Sequence, residues 1–512
     1  MRNANGTWEE VSLSDVPRNR KVTKSRWVYT IKYNRDGTIE RLKSRFVACG
    51  YSQVQGKDYT DSFSATMRAT SFRLLCSIAS GEQLRLEHFD ITNAFTEAEI
   101  DTEVYVKPPE GFVSYDEFGK PKVLKLRKAL YGTKQASRLW QLHLRQRLID
   151  MGFSNSKTDP CLYSYRSERG VCIVGVYVDD IVCAWKGDNM LEWFTRELSR
   201  SFRTKHLGRL SWYLGMEIDQ HDDFTITLKQ TQYVKKMIDR YVPGHKTNSI
   251  SHSLPCNPDT FIKLDHASSD EEREKMSTLP YRQLIGSLLY ISTMTRPDIA
   301  YYMTVLCKFM QDPSMDCYIA AIGLLLYVHH TQHKFICYDG TTSPHSGLSK
   351  YDSHISNNKG FVAYSDASWR DPHKFGWNMF GYVCYMYGGP VAFAAKLLKV
   401  VALSTAEAEY AAASYTCREV QFIRNVCADL GCMLRGELIM CVDNTAAIDI
   451  ARNMGVTART KHFTDAIHYF RDLVDRKCML PVHVSTDRQR ADGFTKPLPR
   501  HTFLDWVDTL VH

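Results

Sequence analysis

At 512 residues the chain is long enough for two to four domains, each with its own core. Sixty-five Lys+Arg against 57 Asp+Glu give a net charge of +8, a mild basic excess that fits a polyanionic partner without requiring one. Fifteen cysteines, an odd number with no C-x-x-C pair, exclude a secreted disulfide framework. The start, Met1 to Gly6, lacks a signal-peptide core, and the longest apolar run, Tyr318 to Val328, is about half a bilayer span. An intracellular, soluble protein without a membrane partner is expected.

In chain order, Trp27 to Tyr33 alternates as a strand, Asn34-Arg35-Asp36-Gly37 reads as a hairpin turn, and Ile39 to Val47 forms the return strand, with Arg41, Lys43 and Arg45 along it. These cations suit either a charge-protected edge or phosphate contact. Thr70 to Ala79 reads as a helix, and Leu84 to Phe89 as a strand ending on Asp90. Tyr131 to Arg138 combines a stacking face with cations, as a template or nucleotide surface requires, and a helical pattern runs from Leu139 to Leu148. Val171 to Val178 and Ile181 to Trp185 suit buried strands with Asp179 and Asp180 at the tip between them. Carboxylates there are costly to bury unpaired, so the tip is either a solvated turn or a metal site.

Helices follow over Asn189 to Phe202 and Gln230 to Tyr241, with a glycine-punctuated hairpin through Tyr213 to Glu217 between them. Residues 242–280 are rich in Pro, Ser, Asn, Asp and His and read as a linker or loosely packed subdomain, and Tyr281 to Met310 as helix. His329, His330, His333 and Cys337 match no common zinc spacing and read as a polar helix end. In the last third, Phe361 to Tyr364 is a strand running into Ser365-Asp366, Tyr382 to Ala395 a hairpin, and Ser404-Thr405-Ala406-Glu407 a capping box for a long helix that carries Glu409. Leu438 to Val442 is a strand ending on Asp443, and Asp492 follows the strand Val482 to Val484. Four acids at strand ends or helix starts in one domain point to a metal site.

Several of these segments occur together as Asp36-Gly37-Thr38-Ile39-Glu40-Arg41-Leu42-Lys43-Ser44-Arg45, Leu130-Tyr131-Gly132-Thr133-Lys134-Gln135-Ala136, Tyr177-Val178-Asp179-Asp180, Thr295-Arg296-Pro297-Asp298-Ile299, Glu407-Ala408-Glu409-Tyr410, Arg459-Thr460-Lys461-His462 and Ala491-Asp492 with Thr495-Lys496-Pro497-Leu498. In this order the chain resembles the reverse transcriptase and ribonuclease H region of copia-type LTR retrotransposon Pol polyproteins, from about Thr7 to about Arg500. The resemblance implies an α+β and α/β multidomain architecture: a right-hand polymerase with fingers, palm and start of thumb in 1–245, thumb/connection and linker in 246–355, and a ribonuclease H-like domain in 356–512. It implies Asp90, Asp179 and Asp180 as palm carboxylates, and Asp366, Glu409, Asp443 and Asp492 as nuclease carboxylates. Each set would hold two Mg²⁺ ions, with Mn²⁺ able to substitute. Lys43, Arg45, Phe95, Lys134 and Gln135 are the implied nucleotide-binding residues, Phe95 lying under the sugar and disfavouring a 2′-hydroxyl.

The implied partners are an RNA template, a DNA primer, the RNA/DNA hybrid, deoxynucleoside triphosphates, and the Gag and integrase regions of a longer polyprotein. The implied location is a cytoplasmic virus-like particle with nuclear access. Ser137 and Thr133 depart from the family's usual proline and leucine, and Asp487 lies near where many retroviral nucleases place a mobile histidine. The abrupt start at the polymerase leaves a second reading open, a truncated or decayed remnant that binds nucleic acid without catalysis, although all seven acids are present. A DNA-templated repair polymerase is a third reading, weakened by the nuclease acids.

Overall fold

The computed structural model describes residues 6–33, 38–244, 253–343, 345, 347–369, 378–452 and 468–512. The expected turn at Asn34-Arg35-Asp36-Gly37 and the segment Arg459-Thr460-Lys461-His462 lie outside the described residues. The chain forms two compact units, Met1–Met67 with Glu87–Gly208, and Arg68–Leu86 with Arg209–His512. The expected limit at 245 therefore does not coincide with a division between compact units. Residues 68–86 and 209–244 belong with the C-terminal part of the chain.

The first unit is organised on a six-stranded sheet in the order Thr204–Arg209, Arg85–Ile91, Asp180–Lys186, Gly170–Tyr177, Leu162–Ser167, Ser154–Asn155. Its central strands are almost continuously apolar because they are buried on both faces. Two helices cover one face. Trp140, Leu144 and Leu148 of Ala136–Asp150, and Met190, Phe194 and Leu198 of Met190–Ser201, recur every four residues and so share a stripe. They pack on Phe89, Ile91, Cys172, Val174, Val176, Ile181 and Cys183 in one core.

A two-stranded ribbon, Ser25–Tyr33 with Ile39–Ala48, joins this unit through a close backbone crossing. The amides of Ala48 and Gly50 donate to the carbonyls of Tyr131 (2.8 Å) and Gly132 (3.1 Å). Gly132 has φ +88°, and a Cβ there would lie 2.1 Å from the Ala48 carbonyl oxygen. That approach explains the glycine of the Leu130-Tyr131-Gly132 segment.

In the second unit the helix Ala69–Gly81 is buried from Ser71 to Ser80. Its Arg73 is 3% exposed and donates to the carbonyls of Val391 (2.9 Å), Thr293 (2.6 Å) and Met294 (3.2 Å). Residues 209–244 enter the same unit through strand pairing, Ile226–Lys229 lying against Ile336–Tyr338. The expected continuous helix over Tyr281 to Met310 is instead two, Tyr281–Met294 and Ala300–Lys308. Pro297 cannot donate to a preceding turn, and Arg296 and Asp298 at the break form a buried bidentate pair at 2.9 and 2.7 Å that also receives the Tyr327 hydroxyl at 2.7 Å. The region read as linker contains the helices Pro258–Phe261 and Asp270–Ser277, the latter capped by Ser269.

The C-terminal part is an α/β layer. Its five-stranded sheet runs Gly389–Leu397, Met379–Met386, Val362–Ser368, Leu438–Val442, Met479–His483, with the first three strands antiparallel and the last two joined in parallel. The helix Thr405–Asp429 lies against it. Ala408, Ala411, Ala412 and Ala413 are fully buried, and their small side chains suit close packing of the helix. Half of the expected capping box forms: the N-cap Ser404 Oγ accepts from the Glu407 amide (3.3 Å), while Glu407 accepts from the amide of Leu403, the residue before the cap (2.8 Å). Among the described residues no helix is long and apolar enough to cross a membrane.

Candidate active sites

In the first unit Tyr177 pairs with Asp180, so Val178 and Asp179 form a two-residue turn and Asp180 opens the return strand. Val178 has φ +58°, a left-handed conformation that a β-branched residue adopts only at a cost of about 1–3 kcal/mol. The fold holds it there. Trp140 Nε1 donates to the Val178 carbonyl at 2.6 Å, and the Ile91 amide donates to the Asp179 carbonyl at 3.1 Å. The second bond locks the turn against the strand that carries Asp90.

Asp90 and Asp179 line one cleft of about 460 Å³ together with Arg41, Lys43, Arg45 and Tyr131. Burial raises the Asp179 carboxyl above the usual carboxylate range, and repulsion from Asp180 and Asp90 adds to it, while Lys43 opposes. The Tyr131 hydroxyl is pushed up to about 12, first by burial and then by Asp179. Phe95 lies against Tyr131 with ring centroids 4.5 Å apart. Asp180 turns toward the neighbouring strand, where its carboxylate accepts from His88 Nε2 at 3.3 Å.

Lys134 and Gln135 do not line this cleft. Gln135 is fully buried, donating to the Asp58 carbonyl (2.9 Å) and accepting from Gln53 Nε2 (3.2 Å), and the Lys134 amide donates to Gln53 Oε1 (2.7 Å). These bonds fix the loop behind Tyr131. Two cleft cations, Arg203 and Lys205, were not singled out from the sequence. They lie more than a hundred residues from Asp90, and only strand pairing brings them beside it; a basic pair at a strand start is too common a signal to find them by.

The second unit brings Asp366, Glu409 and Asp443 together with one carboxylate oxygen from each within 4.8 Å of the others. It is the only such His/Cys/Asp/Glu group among the described residues, and His329, His330, His333 and Cys337 form none. Asp366 sits inside its strand, opposite Gly381, rather than at the strand end. Glu409 comes from the second turn of the long helix, and Asp443 directly follows Leu438–Val442. Glu409 Oε2 is buried without a hydrogen-bond partner, and burial followed by repulsion from Asp366 and Asp443 raises its carboxyl well above the ordinary range. Three convergent acids with an unpartnered oxygen are a donor set fitted to a hard divalent cation.

Asp492 begins a short 3₁₀ turn, Asp492–Phe494. Its carboxyl is pushed up to about 7 by burial and then by Asp366, against the pull of Lys496, whose Nζ lies 2.9 Å away. The buried Thr495 hydroxyl donates to Asp366 Oδ2 and orients that carboxylate. Thr495 and Lys496 entered the sequence reading only as signposts; their roles depend on a contact to a strand some 130 residues earlier.

The raised acids fix the sign of a pH effect. A carboxyl whose pKa is higher in the folded state contributes stability that is complete below its unfolded pKa and is lost as pH rises through the folded value, about 7 for Asp492. Burial likewise raises Asp443, and Glu409 shifts the same way. The metal-free chain in EDTA is therefore expected to melt at progressively lower temperature from about pH 5 to about pH 8, and Mg²⁺ to restore the loss at the upper end. A melting temperature that stays flat over that range would contradict the reading.

A profile of the reverse transcriptase (RNA-dependent DNA polymerase) family matches residues 5–256. The chain is 31% identical over 506 residues to the retrovirus-related Pol polyprotein from transposon TNT 1-94 of Nicotiana tabacum, covering 98% of this chain and 36% of that one. It is 32% identical over 512 residues to the corresponding polyprotein from transposon RE1 of Arabidopsis thaliana, covering 99% and 32%. It thus spans about a third of the length of these curated relatives. Among solved structures, a foamy viral protease-reverse transcriptase in complex with double-stranded DNA aligns with a TM-score of 0.45 at 10% identity, over 94% of this chain and 75% of that one. The chain belongs to the copia-type retrotransposon Pol family, and its residues 5–256 are the family's reverse transcriptase region.

Proposed function

We propose that this chain copies RNA into DNA and degrades the RNA strand of the resulting hybrid. One observation carries the reading: the chain holds two separate acidic sites, one facing a cationic cleft and the other a convergent buried trio. Two Mg²⁺ ions at each site would supply the charge that lowers the pKa of the attacking hydroxyl or water and stabilises the leaving oxygen. Asp90 and Asp179 would hold them in the first site, with Asp180 supporting the turn through His88. Asp366, Glu409, Asp443 and Asp492 would hold them in the second.

In the first site Lys43 and Arg45, which line the same cleft as Asp90 and Asp179, would pair with the triphosphate of the incoming nucleotide. Phe95, lying against Tyr131, would form an aromatic floor under the sugar that disfavours a 2′-hydroxyl. Lys134 and Gln135 would serve by shaping the loop under that floor. In this reading 1–245 are fingers, palm and start of thumb, 246–355 thumb and connection, and 356–512 the nuclease. The chain would work within a longer polyprotein with Gag and integrase regions, in a cytoplasmic particle.

The test is a pair of assays on the purified chain with Mg²⁺: extension of a DNA primer on an RNA template, and cleavage of labelled RNA in a hybrid. The parent should do both. Asp443→Asn should lower cleavage by about 10³-fold, a loss of several kcal/mol of metal-based stabilisation, and leave extension intact. A parent chain that extends without cleaving removes the nuclease half of the reading, and one that does not extend removes the polymerase half.

A further inference from the structure

The nuclease site has a cation that the proposed chemistry leaves without a task. Lys496 stands one helical turn beyond Asp492, with Nζ 2.9 Å from Asp492 Oδ1. Its charge also acts on Asp366 and Asp443 across the pocket. The ammonium thus comes from the same short segment as the carboxylate it pairs with. The backbone of that segment is anchored on both sides. Phe494 packs edge-on against Trp506 with centroids 5.1 Å apart, Trp506 Nε1 donates to the Arg490 carbonyl at 2.8 Å, and Thr495 is 1% exposed and bonded to Asp366.

The Lys496 side chain is different, with 44% of it exposed against 11% for Asp492. Four flexible methylenes and a half-open position let the ammonium leave Asp492 without disturbing the segment that holds it. A lysine fixed for packing alone has no need of that freedom. A divalent cation seeking Asp492 competes with Lys496 for the same oxygen.

We propose that Lys496 is a built-in counter-ion of the nuclease site, a positioning residue that holds Asp492 while the site lacks metal and is displaced when a divalent cation takes that carboxylate. The competition keeps metal occupancy low until a phosphate reaches the site, because the phosphate both adds oxygen ligands to the metal and receives the displaced ammonium. Metal and hybrid would then strengthen each other's binding, as linkage requires. Only the identity of that phosphate, a diester of the hybrid's RNA strand, rests on the proposed function above.

The experiment is calorimetric titration of Mg²⁺ into the full chain carrying Asp179→Asn, which removes the polymerase site from the signal, with and without Lys496→Gln or Lys496→Arg. Asp443→Asn identifies the heat that belongs to the nuclease site. Lys496→Gln should bind Mg²⁺ about threefold to fivefold more tightly, the size expected for a half-exposed ion pair, and Lys496→Arg should stay within about twofold of its parent. Melting in EDTA checks that the variants are folded. Unchanged or weaker binding in Lys496→Gln overturns the proposal, including the case in which the variant only loses stability. A titration with no heat removed by Asp443→Asn overturns it too. Tighter binding in a chain that cuts no hybrid leaves the counter-ion in place and removes the nuclease reading instead.

Discussion

Asp179→Asn is expected to lower Mg²⁺-dependent extension of a DNA primer on an RNA template by about 10³-fold while hybrid cleavage stays at the parent level. The carboxylate sits in the turn, where burial and two neighbouring acids already raise its pKa, so a cation there relieves a standing repulsion. The amide of asparagine keeps the shape and removes the charge. At 1.36 kcal/mol per tenfold, 10³ is about 4 kcal/mol, in line with the several kcal/mol that metal-based charge stabilisation supplies. The turn should survive, because its bonds to Trp140 and Ile91 use the carbonyls of Val178 and Asp179 rather than the side chain. Retained cleavage is the control for folding. Equal extension by variant and parent would remove Asp179 from the chemistry.

The second large effect concerns the helix Ala69–Gly81. Arg73→Ala is expected to destabilise the second unit by about 3–5 kcal/mol in denaturant unfolding, as for a buried hydrogen-bonded charge whose partners are left unpaired. Three carbonyls would lose their donor, two of them at the C-terminal end of Tyr281–Met294, where a cation also suits the helix dipole. The guanidinium further covers the Phe393 ring at 4.2 Å. Around it, Ser77 donates to the Met386 carbonyl and Ser80 to the Tyr338 carbonyl, each at 2.8 Å, and Phe72 stacks on Tyr213 at 4.8 Å. A fragment of 356–512 alone leaves the Val391 and Met386 carbonyls and the facing apolar surface open and should be insoluble or molten. A fragment that unfolds cooperatively and cleaves hybrid would show that the helix is dispensable.

The sequence was most legible where one physical constraint acts locally. The apolar runs on either side of Asp179, the helical pattern over Leu139 to Leu148, and the Ser404 N-cap needed no distant partner, and the structure has them at or near the expected bounds. The reading over Tyr281 to Met310 failed because apolar periodicity outweighed Pro297, whose break is stabilised by Asp298 meeting Arg296 and Tyr327. Gln135 resembled a nucleotide ligand by its motif, yet a buried amide bonded to Asp58 and Gln53 fixes a loop. The helix Ala69–Gly81 was visible as a helix but not as part of the second unit, since nothing local says which core takes an apolar face.

By itself the sequence singled out seven acids as candidates and, through the order of its motifs, the family. Tertiary structure alone decided which acids converge. Asp366, Glu409 and Asp443 close to within 4.8 Å of one another, whereas Asp90 and Asp179 share a cleft with cations and Asp180 turns to His88. The physical reason is distance along the chain. Strand pairing and buried hydrogen bonds bring together residues separated by tens to hundreds of positions, and the repulsion, burial and counter-ions that set the chemistry of each carboxylate exist only after they have done so.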